Sequence, residues 1–280
     1  MSLNKTPDLS VAVKLLKGSP WENLPLDKLP WYSPEIEEIT LQAQELFEKD
    51  KAYVVFPYPC LARWAFSELS VSLSRQYPEV LERVKNGDKY LDLGCCVGQD
   101  IRKLVFDGAF RKHIRLGLGG EFMNIGYDLF LDKSTLKTAF IAADFFDENS
   151  DLKQISGDID IIHAASFLHL FDEEGQLKAC ESIVKLLKSK PGSLFIGRQN
   201  GNFESGVHVG ATDSSKKRYR HNAESFEHMW KRVGEKTGTN WKAEARLEDQ
   251  DLHTITEKMG LESATIPPGS RWLSFAVRRE

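Results

Sequence analysis

The chain has 280 residues, of which 41% are hydrophobic and 28% charged, and its formal net charge at pH 7 is −4. This length allows one large domain, or such a domain with a small cap. Acidic and basic residues are well mixed, so we expect neither a nucleic-acid partner nor a membrane-surface partner. No stretch approaches the roughly 18 apolar residues of a membrane span.

The four cysteines are Cys60, Cys95, Cys96 and Cys180. Two of them are adjacent, a spacing that suits neither a disulfide framework nor a zinc site, so we expect reduced thiols and no metal. The N-terminus also lacks a long apolar segment of the signal-peptide type. Together these features indicate a cytoplasmic protein.

The N-terminal part of the chain has little regular periodicity at its start and becomes helical further on. Residues 1–33 read as an irregular arm, and residues 35–51 have the apolar spacing of an amphipathic helix. The Pro-Tyr-Pro sequence at 57–59 interrupts regular structure, and a second helical pattern follows over 64–73. We therefore predict an N-terminal arm and helical cap over residues 1–85.

Aromatic residues are concentrated in this predicted cap. Three interpretations stay open: they pack the cap onto a domain, they line an apolar pocket for a hydrophobic small molecule, or they form a partner interface such as that of a homodimer. The residues concerned are Trp21, Trp31, Tyr32, Tyr58, Trp64 and Phe66.

Strand and helix patterns alternate from residue 86 onward. This alternation predicts an α/β domain over 86–280 with a doubly wound parallel sheet. The predicted strands are 89–93, 114–118, 139–143, 159–165, 193–197, 241–247 and 272–277, and the predicted helices are 99–106, 122–131, 173–187, 223–233 and 251–259.

The segment LDLGCCVGQD, residues 91–100, carries the most specific chemical signal. A strand ends in Asp92, turns through Gly94, Cys96 and Gly98, and opens into a helix. Dinucleotide enzymes favour G-x-G-x-x-G, whereas this spacing is D-x-G-x-x-x-G. A carboxylate leading into such a turn suits a cationic ligand, and S-adenosylmethionine is one. An ordinary strand–helix turn is the alternative.

A second acidic residue ends the predicted third strand. Asp144 lies where it can accept a hydrogen bond from an adenine amino group, with Phe145 beside the ring. The alternative for a lone aspartate at a strand end is a helix N-cap.

The chain resembles the small fungal methyltransferases of meroterpenoid and polyketide pathways, within the class I methyltransferase superfamily. The matching segments are PYPC at 57–60, LDLGCCVGQD at 91–100, GYDLF at 126–130, FIAAD at 140–144, GSLFIGRQ at 192–199 and RHNAESF at 220–226. The resemblance implies a Rossmann-like sheet, S-adenosylmethionine as cofactor, and O-methylation of a hydrophobic natural product at a carboxyl or enol oxygen.

One position departs from that family. The family places an acidic residue at the end of the second strand, where it binds the ribose hydroxyls, and alignment on Glu121 puts Gly117 there. This departure favours a rival hypothesis, in which the fold has lost methyl transfer and catalyses a cyclisation, isomerisation or elimination. The predicted cofactor-binding residues are Asp92, Gly94, Cys96, Gly98, Gly117, Leu118, Asp144 and Phe145.

Two histidines near the end of the predicted fourth strand are candidate catalytic bases. His163 and His169 fall where a substrate cavity is expected, although each has a packed, hydrogen-bonded alternative. His208 and His221 are weaker candidates in a loop or at a helix cap. No Ser/His/Asp or Cys/His pattern stands out, which favours an acidic oxygen nucleophile that needs no strong base.

The sequence also contains one basic cluster, KKRYR at residues 216–220. A solvated loop is the simpler interpretation, and an anion site is the alternative.

Overall fold

The computed structural model describes residues 69–109, 114–117, 132–136, 138–141, 143–147, 149–209, 217–254 and 266–280, with single positions 124, 126, 127 and 130. The chain divides into two compact units, one of residues 1–68 with 121–136 and one of 69–120 with 137–280. The first unit contains most of the predicted arm and cap, which lie outside the described residues. The fold below is that of the second unit.

A seven-stranded sheet forms the centre of this unit, in the order β3-β2-β1-β4-β5-β9-β8. β1 to β5 run parallel, and β9 pairs antiparallel with both β5 and β8. A separate antiparallel hairpin, β6–β7, follows β5. The strands are β1 Tyr90–Leu93, β2 Ile114–Gly117, β3 Ala139–Ile141, β4 Ile161–Ala165, β5 Leu194–Asn202, β6 Gly206–Val209, β7 Lys217–Arg220, β8 Trp241–Asp251 and β9 Ser270–Arg279.

Helices pack on both faces of the sheet. On one face, apolar side chains of α4 and α5 join those of β1, β4, β5 and β9 in a single core in which Trp230 and Phe195 are fully buried. On the other face, α1 packs against β4 and β5. The helices described in full are α1 Ser70–Leu73, α2 Tyr77–Lys85, α3 Gln99–Phe106, α4 Glu173–Leu186 and α5 Ala223–Thr237.

Local sequence explains where the two core-facing helices begin. The Asp172 side chain accepts a hydrogen bond from the Gly175 N–H at the start of α4. Asn222 and Ser225 form a reciprocal capping box at the start of α5, which satisfies N–H groups that the helix itself leaves open. α5 ends at Thr237 and is followed by Gly238. The left-handed φ of 65° at Gly238 is favourable for a residue that has no Cβ.

The predicted α/β sheet is confirmed, but it is mixed rather than wholly parallel, because β9 pairs antiparallel with β5 and β8. The helix at 99–106 has the predicted bounds. β5 and β9 are longer than predicted, and β6 and β7 were not predicted. Most of the predicted helices 122–131 and 251–259 lies outside the described residues.

Cysteine chemistry and helix hydrophobicity in the described residues bear on two sequence predictions. Cys95, Cys96 and Cys180 form no disulfide with one another, and Cys60 lies outside the described part. Across the described ranges, no helix combines the length and the apolarity that crossing a membrane requires.

Gly197 allows the close approach of three central strands, because it pairs with Ala164 on β4 and Phe275 on β9. A Cβ at this position would overlap the Ala164 carbonyl oxygen and lie 2.8 Å from the Phe275 ring. We expect Gly197→Ala to lower the free energy of unfolding by about 3 kcal/mol, at the upper end of overpacking costs.

Denaturant unfolding measures this effect, and Gly192→Ala is the control. A Cβ at Gly192 meets nothing within 4 Å, although its φ is 83°, so that variant bears only backbone strain of about 1–2 kcal/mol. Equal losses in the two variants would show that the strand contact is not the cause.

Candidate cofactor and substrate site

The strand order reverses between β1 and β4, because β2 and β3 lie on one side of β1 and β5 lies beyond β4. Ligands of open α/β sheets bind beyond the carboxyl ends of the strands at such a switch point. The predicted glycine turn lies at this point, directly after β1. Gly94, Cys96 and Gly98 have φ values of 74°, 52° and 77°, which curl the backbone before α3 begins at Gln99.

Two non-glycine residues hold strained backbone conformations at this edge. Cys96 in the turn and Ser166 directly after β4 both have left-handed φ values, 52° and 55°. The Ser166 N–H donates to the Arg198 carbonyl at 2.8 Å. Such conformations cost about 1–3 kcal/mol each and cluster at functional sites, so their position agrees with a ligand site here.

Asp92 is buried and forms an ion pair across the sheet. Its Oδ1 lies 2.9 Å from His163 Nδ1, and the two residues are neighbours in the β1–β4 register. Asp100, in the first turn of α3, joins this cluster, and its Oδ1 accepts the Val71 N–H at 2.9 Å. The Asp92 Oδ2 is also buried, and no described group bonds to it.

The charges in this cluster depend on one another. Burial raises the pKa of Asp100 to about 6, and the Asp92 carboxylate adds to the rise. Burial opposes a charged imidazole at His163, but the hydrogen bond and the negative charge of Asp92 together raise its pKa above the ordinary value. His163 is thus a buried ion-pair partner of the turn, which matches the packed alternative for this residue and leaves its predicted catalytic role untested.

The predicted adenine residues differ in their surroundings. Asp144 is exposed, and its Oδ1 accepts the Phe146 N–H at 2.9 Å, in a local turn. Phe145 is buried and contacts Phe146 and Phe167 edge-to-face, with ring centroids 5.5 and 5.2 Å apart. Phe171 contacts both Phe146 and Phe167.

These four rings form a closed aromatic quartet between the ends of β3 and β4. A Cβ on Gly94 would lie 3.4 Å from the Phe167 ring, so the quartet also borders the glycine turn. The quartet offers an apolar wall at the place where an adenine was predicted.

Gly117 is the last residue of β2, in register with Leu93 of β1 and Ile141 of β3. The alignment that placed it at the end of the second strand is therefore consistent with the structure. Leu118 and Glu121 lie outside the described residues.

His169 lies beside the part of β5 that does not pair with β4. β5 extends past the end of β4, and the Asn200 N–H on this edge donates to His169 Nδ1 at 3.2 Å. An accepting Nδ1 carries no proton, so the proton of the neutral ring is on Nε2. Burial and the positive charges of Arg220 and Arg218 hold the pKa of His169 well below its ordinary value. Any contact of His169 Nε2 with a substrate is therefore that of a donor.

The solvated-loop interpretation of the basic cluster was wrong for its described residues. Lys217–Arg220 forms strand β7, in which Arg218 and Arg220 are each 4% exposed. The Tyr219 N–H donates to the Phe171 carbonyl at 3.2 Å, which fixes the strand beside the segment after β4.

The remaining histidine candidates are structural in their contacts. His208 lies on β6 opposite Arg218. His221 is buried, its Nδ1 lies 2.9 Å from Ser225 Oγ at the α5 cap, and burial with the positive charge of Arg232 lowers its pKa to about 4.

Several site residues were missed by sequence reasoning. Asp100, Ser166, Arg198 and the phenylalanines after β4 all lie at this edge. Arg198 is buried and stacks on the Trp272 ring at 4.3 Å. An available signal was the position of Ser166 and Phe167 directly after the most apolar predicted strand.

No family model matches this chain, but individual fungal proteins do. O-methyltransferase phiE from a fungal species is 39% identical over 89% of this chain and 90% of that protein. O-methyltransferase atr3 of Stereocaulon alpinum is 39% identical over 90% of this chain and 76% of that protein. The Asnovolin E/Chermesin D methyltransferase nvfJ of Aspergillus novofumigatus is 42% identical over 83% of this chain and 80% of that protein. The chain belongs to this family of fungal secondary-metabolite methyltransferases.

A solved structure shows the same fold for this methyltransferase. The Mitomycin 7-O-methyltransferase MmcR aligns with a TM-score of 0.50 at 13% identity, over 91% of this chain and 70% of that one. The predicted class I methyltransferase fold is confirmed, and the cofactor is S-adenosylmethionine.

The described residues fit the amino-acid end of this cofactor and lack a side-chain contact for its ribose. The buried Asp92 Oδ2 is an open acceptor beside the glycine turn, which suits the ammonium group of the cofactor. Gly94 and Gly98 have no Cβ, so at these two positions of the turn no side chain blocks the close approach of a ligand to the backbone. Gly117 supplies no side-chain acceptor for the ribose.

The Asp92–His163 pair predicts a specific titration. His163 should titrate above pH 6.5, so its contribution to stability is present below that pH and is lost as pH rises through the folded pKa. In Asp92→Asn, burial is no longer opposed by a paired carboxylate, and the pKa of His163 should fall by about 1–3 pH units.

NMR titration of the imidazole resonances measures both values. His221, whose Nδ1 contacts Ser225 Oγ rather than Asp92, is the internal reference, and its midpoint should be the same in both proteins. An unchanged His163 midpoint in Asp92→Asn would contradict the ion pair.

Proposed function

We propose that the protein is an O-methyltransferase that methylates a carboxyl, enol or phenol oxygen of a hydrophobic fungal secondary metabolite. The observation that carries this proposal is the 39% identity to phiE and atr3, both named O-methyltransferases, over about 90% of this chain. We also propose a cytoplasmic location and a homodimer. The molecular mass in solution tests the homodimer.

The chemistry of the described residues favours an acidic oxygen. S-adenosylmethionine supplies a methyl group on a sulfonium, which is already activated for transfer. His163 Nδ1 is paired with Asp92, and His169 Nδ1 accepts a backbone N–H. A carboxylate, or an enol or phenol of low pKa, requires no strong base, whereas a simple alcohol requires one. The remaining work of the chain is to align the oxygen and exclude water.

One observation supports a second candidate function. Gly117 at the end of β2 provides no acidic side chain for the ribose, so cofactor binding is weakened relative to the family pattern. A protein that keeps the fold but catalyses a cyclisation, isomerisation or elimination is compatible with that loss.

Labelled cofactor distinguishes the two functions. We expect that incubation of the protein and methyl-labelled S-adenosylmethionine with extracts of a pathway-blocked strain yields a labelled product. Mass spectrometry before and after mild alkaline hydrolysis then separates a methyl ester, which releases the label as methanol, from an enol or phenol ether. A new product that carries no label would exclude methyl transfer and support the rival function.

Restoring an acid at the second strand tests the cofactor site. Gly117→Asp should tighten S-adenosylhomocysteine binding roughly tenfold, because it adds charge-assisted hydrogen bonds worth about 1.4 kcal/mol net. Calorimetric titration measures the affinity.

Asp144→Ala is the matched control and should weaken binding if Asp144 contacts the adenine. If Gly117→Asp has no effect while Asp144→Ala abolishes binding, the second-strand alignment is incorrect and Glu121 becomes the candidate ribose ligand. If neither substitution matters, the cofactor site lies elsewhere.

A further inference from the structure

The β6–β7 hairpin carries an arginine whose burial is not explained by the fold. Arg220 is 4% exposed. Within the described part of the chain its guanidinium makes one hydrogen bond, from Nη1 to the His169 carbonyl oxygen at 3.4 Å, and pairs with no acidic side chain. Gly206 is its cross-strand neighbour, so the residue directly paired with it on β6 has no side chain. Buried arginines normally have an anionic partner.

Arg220 stays positively charged in its surroundings, so an anionic partner would stabilise it. Burial and the like charge of Arg218 lower its pKa to about 10, so it is still charged at neutral pH. The neighbouring His169 is neutral and carries its proton on Nε2, and no described group accepts a hydrogen bond from it. The Arg220 guanidinium, which contacts the His169 main chain, and the His169 Nε2–H are therefore two donors of different strength that belong to one neighbourhood.

Arg220 contacts the segment after β4 that borders the predicted cofactor turn. The His169 carbonyl that it contacts is two residues after Phe167, and Phe167 borders Gly94 of the turn. The Tyr219 N–H donates to Phe171, and Gln176 Nε2 donates to the Tyr219 carbonyl at 2.8 Å. β7 is thereby held beside the segment that follows β4.

We propose that Arg220, with the Nε2–H of His169 beside it, binds an ionised acidic oxygen of the substrate, a carboxylate or an enolate. This inference rests on the proposed O-methyl transfer and specifies the charge state in which the substrate is recognised. A guanidinium lowers the pKa of a bound acid, so the oxygen is ionised without a separate base. With a carboxylate, one oxygen contacts Arg220 and the other is left to form the new bond to carbon.

The same contact discriminates substrate from product. When the oxygen–methyl bond forms and the sulfur–methyl bond breaks, the sulfur keeps the electron pair and the oxyanion becomes a neutral ester or ether. The charge-assisted hydrogen bond to Arg220 is then lost, so the product binds more weakly than the acid.

The test uses the full chain with S-adenosylhomocysteine and two probes, naphthalene carboxylate and its neutral carboxamide. Affinity is measured by saturation-transfer NMR. We expect the wild type to prefer the carboxylate. Arg220→Met should weaken carboxylate binding about tenfold to a hundredfold and leave carboxamide binding unchanged. Arg220→Lys keeps the positive charge but loses the planar guanidinium, so its affinity for the carboxylate should lie between those of the wild type and Arg220→Met.

Three controls make the result specific. Arg232→Met removes a half-buried arginine that, unlike Arg220, pairs with an acidic side chain, Glu173, and it should leave the carboxylate preference intact. Thermal unfolding establishes whether each variant is folded. If Arg220→Met is unfolded, the proposal is tested by the carboxylate preference of the wild type and by its reduction in Arg220→Lys. S-adenosylhomocysteine binding, measured in parallel, should be the same in every folded variant.

The proposal is overturned if the wild type shows no preference for the carboxylate, or if Arg220→Met retains that preference. Failure of the broader methyltransferase proposal has a different signature. In that case S-adenosylhomocysteine does not bind or no labelled methyl group is transferred, whatever the carboxylate selectivity.

Discussion

The buried pair of Asp92 and His163 is the interaction on which the site depends. It joins β1 to β4 at the point where the sheet changes direction, one residue before β1 ends and the turn begins. Neither group can be left alone at this depth, because an uncompensated buried charge costs about 3–5 kcal/mol. The pair therefore fixes the position of the glycine turn relative to the segment after β4. With Oδ1 engaged by His163, only Oδ2 is available to a ligand.

The strained residues next to that pair are held by packing around them. Ser166 keeps its left-handed conformation because its N–H bonds to β5 and the next residue, Phe167, contacts both Phe145 and Phe171. Gly94 lies against the same ring. The aromatic quartet thus connects the two loops that border the proposed cofactor site, and its edge-to-face contacts favour one arrangement of those loops.

Patterns in the sequence predicted the parts of the fold that are dominated by apolar burial. The apolar run of β4 and the turn at Gly94 placed the sheet and the site correctly, since periodicity and glycine position are local properties. The second half of β5 was missed because Arg198, Gln199 and Asn200 are polar. These residues are extended only because β9 pairs with them, and tertiary pairing overrides weak strand propensity. The burial of Arg218 and Arg220 in the basic cluster escapes sequence patterns for a related reason, because it depends on contacts with residues that are distant in sequence.

The two sides of the site have opposite charge character, and this agrees with the proposed reaction. Asp92 and Asp100 lie at the turn proposed for a cationic cofactor, and Arg220 lies in the hairpin proposed for an anionic oxygen. Methyl transfer from a sulfonium to an oxyanion removes one positive and one negative charge and leaves two neutral products. On the anion side the attraction to Arg220 would be lost in this step, whereas the ammonium group proposed to bind Asp92 is retained in S-adenosylhomocysteine, so the methylated product would dissociate more readily than the acid. A protein that catalysed a rearrangement of a neutral molecule would have no use for this separation, and the burial of Arg220 without an acidic partner among the described residues therefore favours methyl transfer over the rival function.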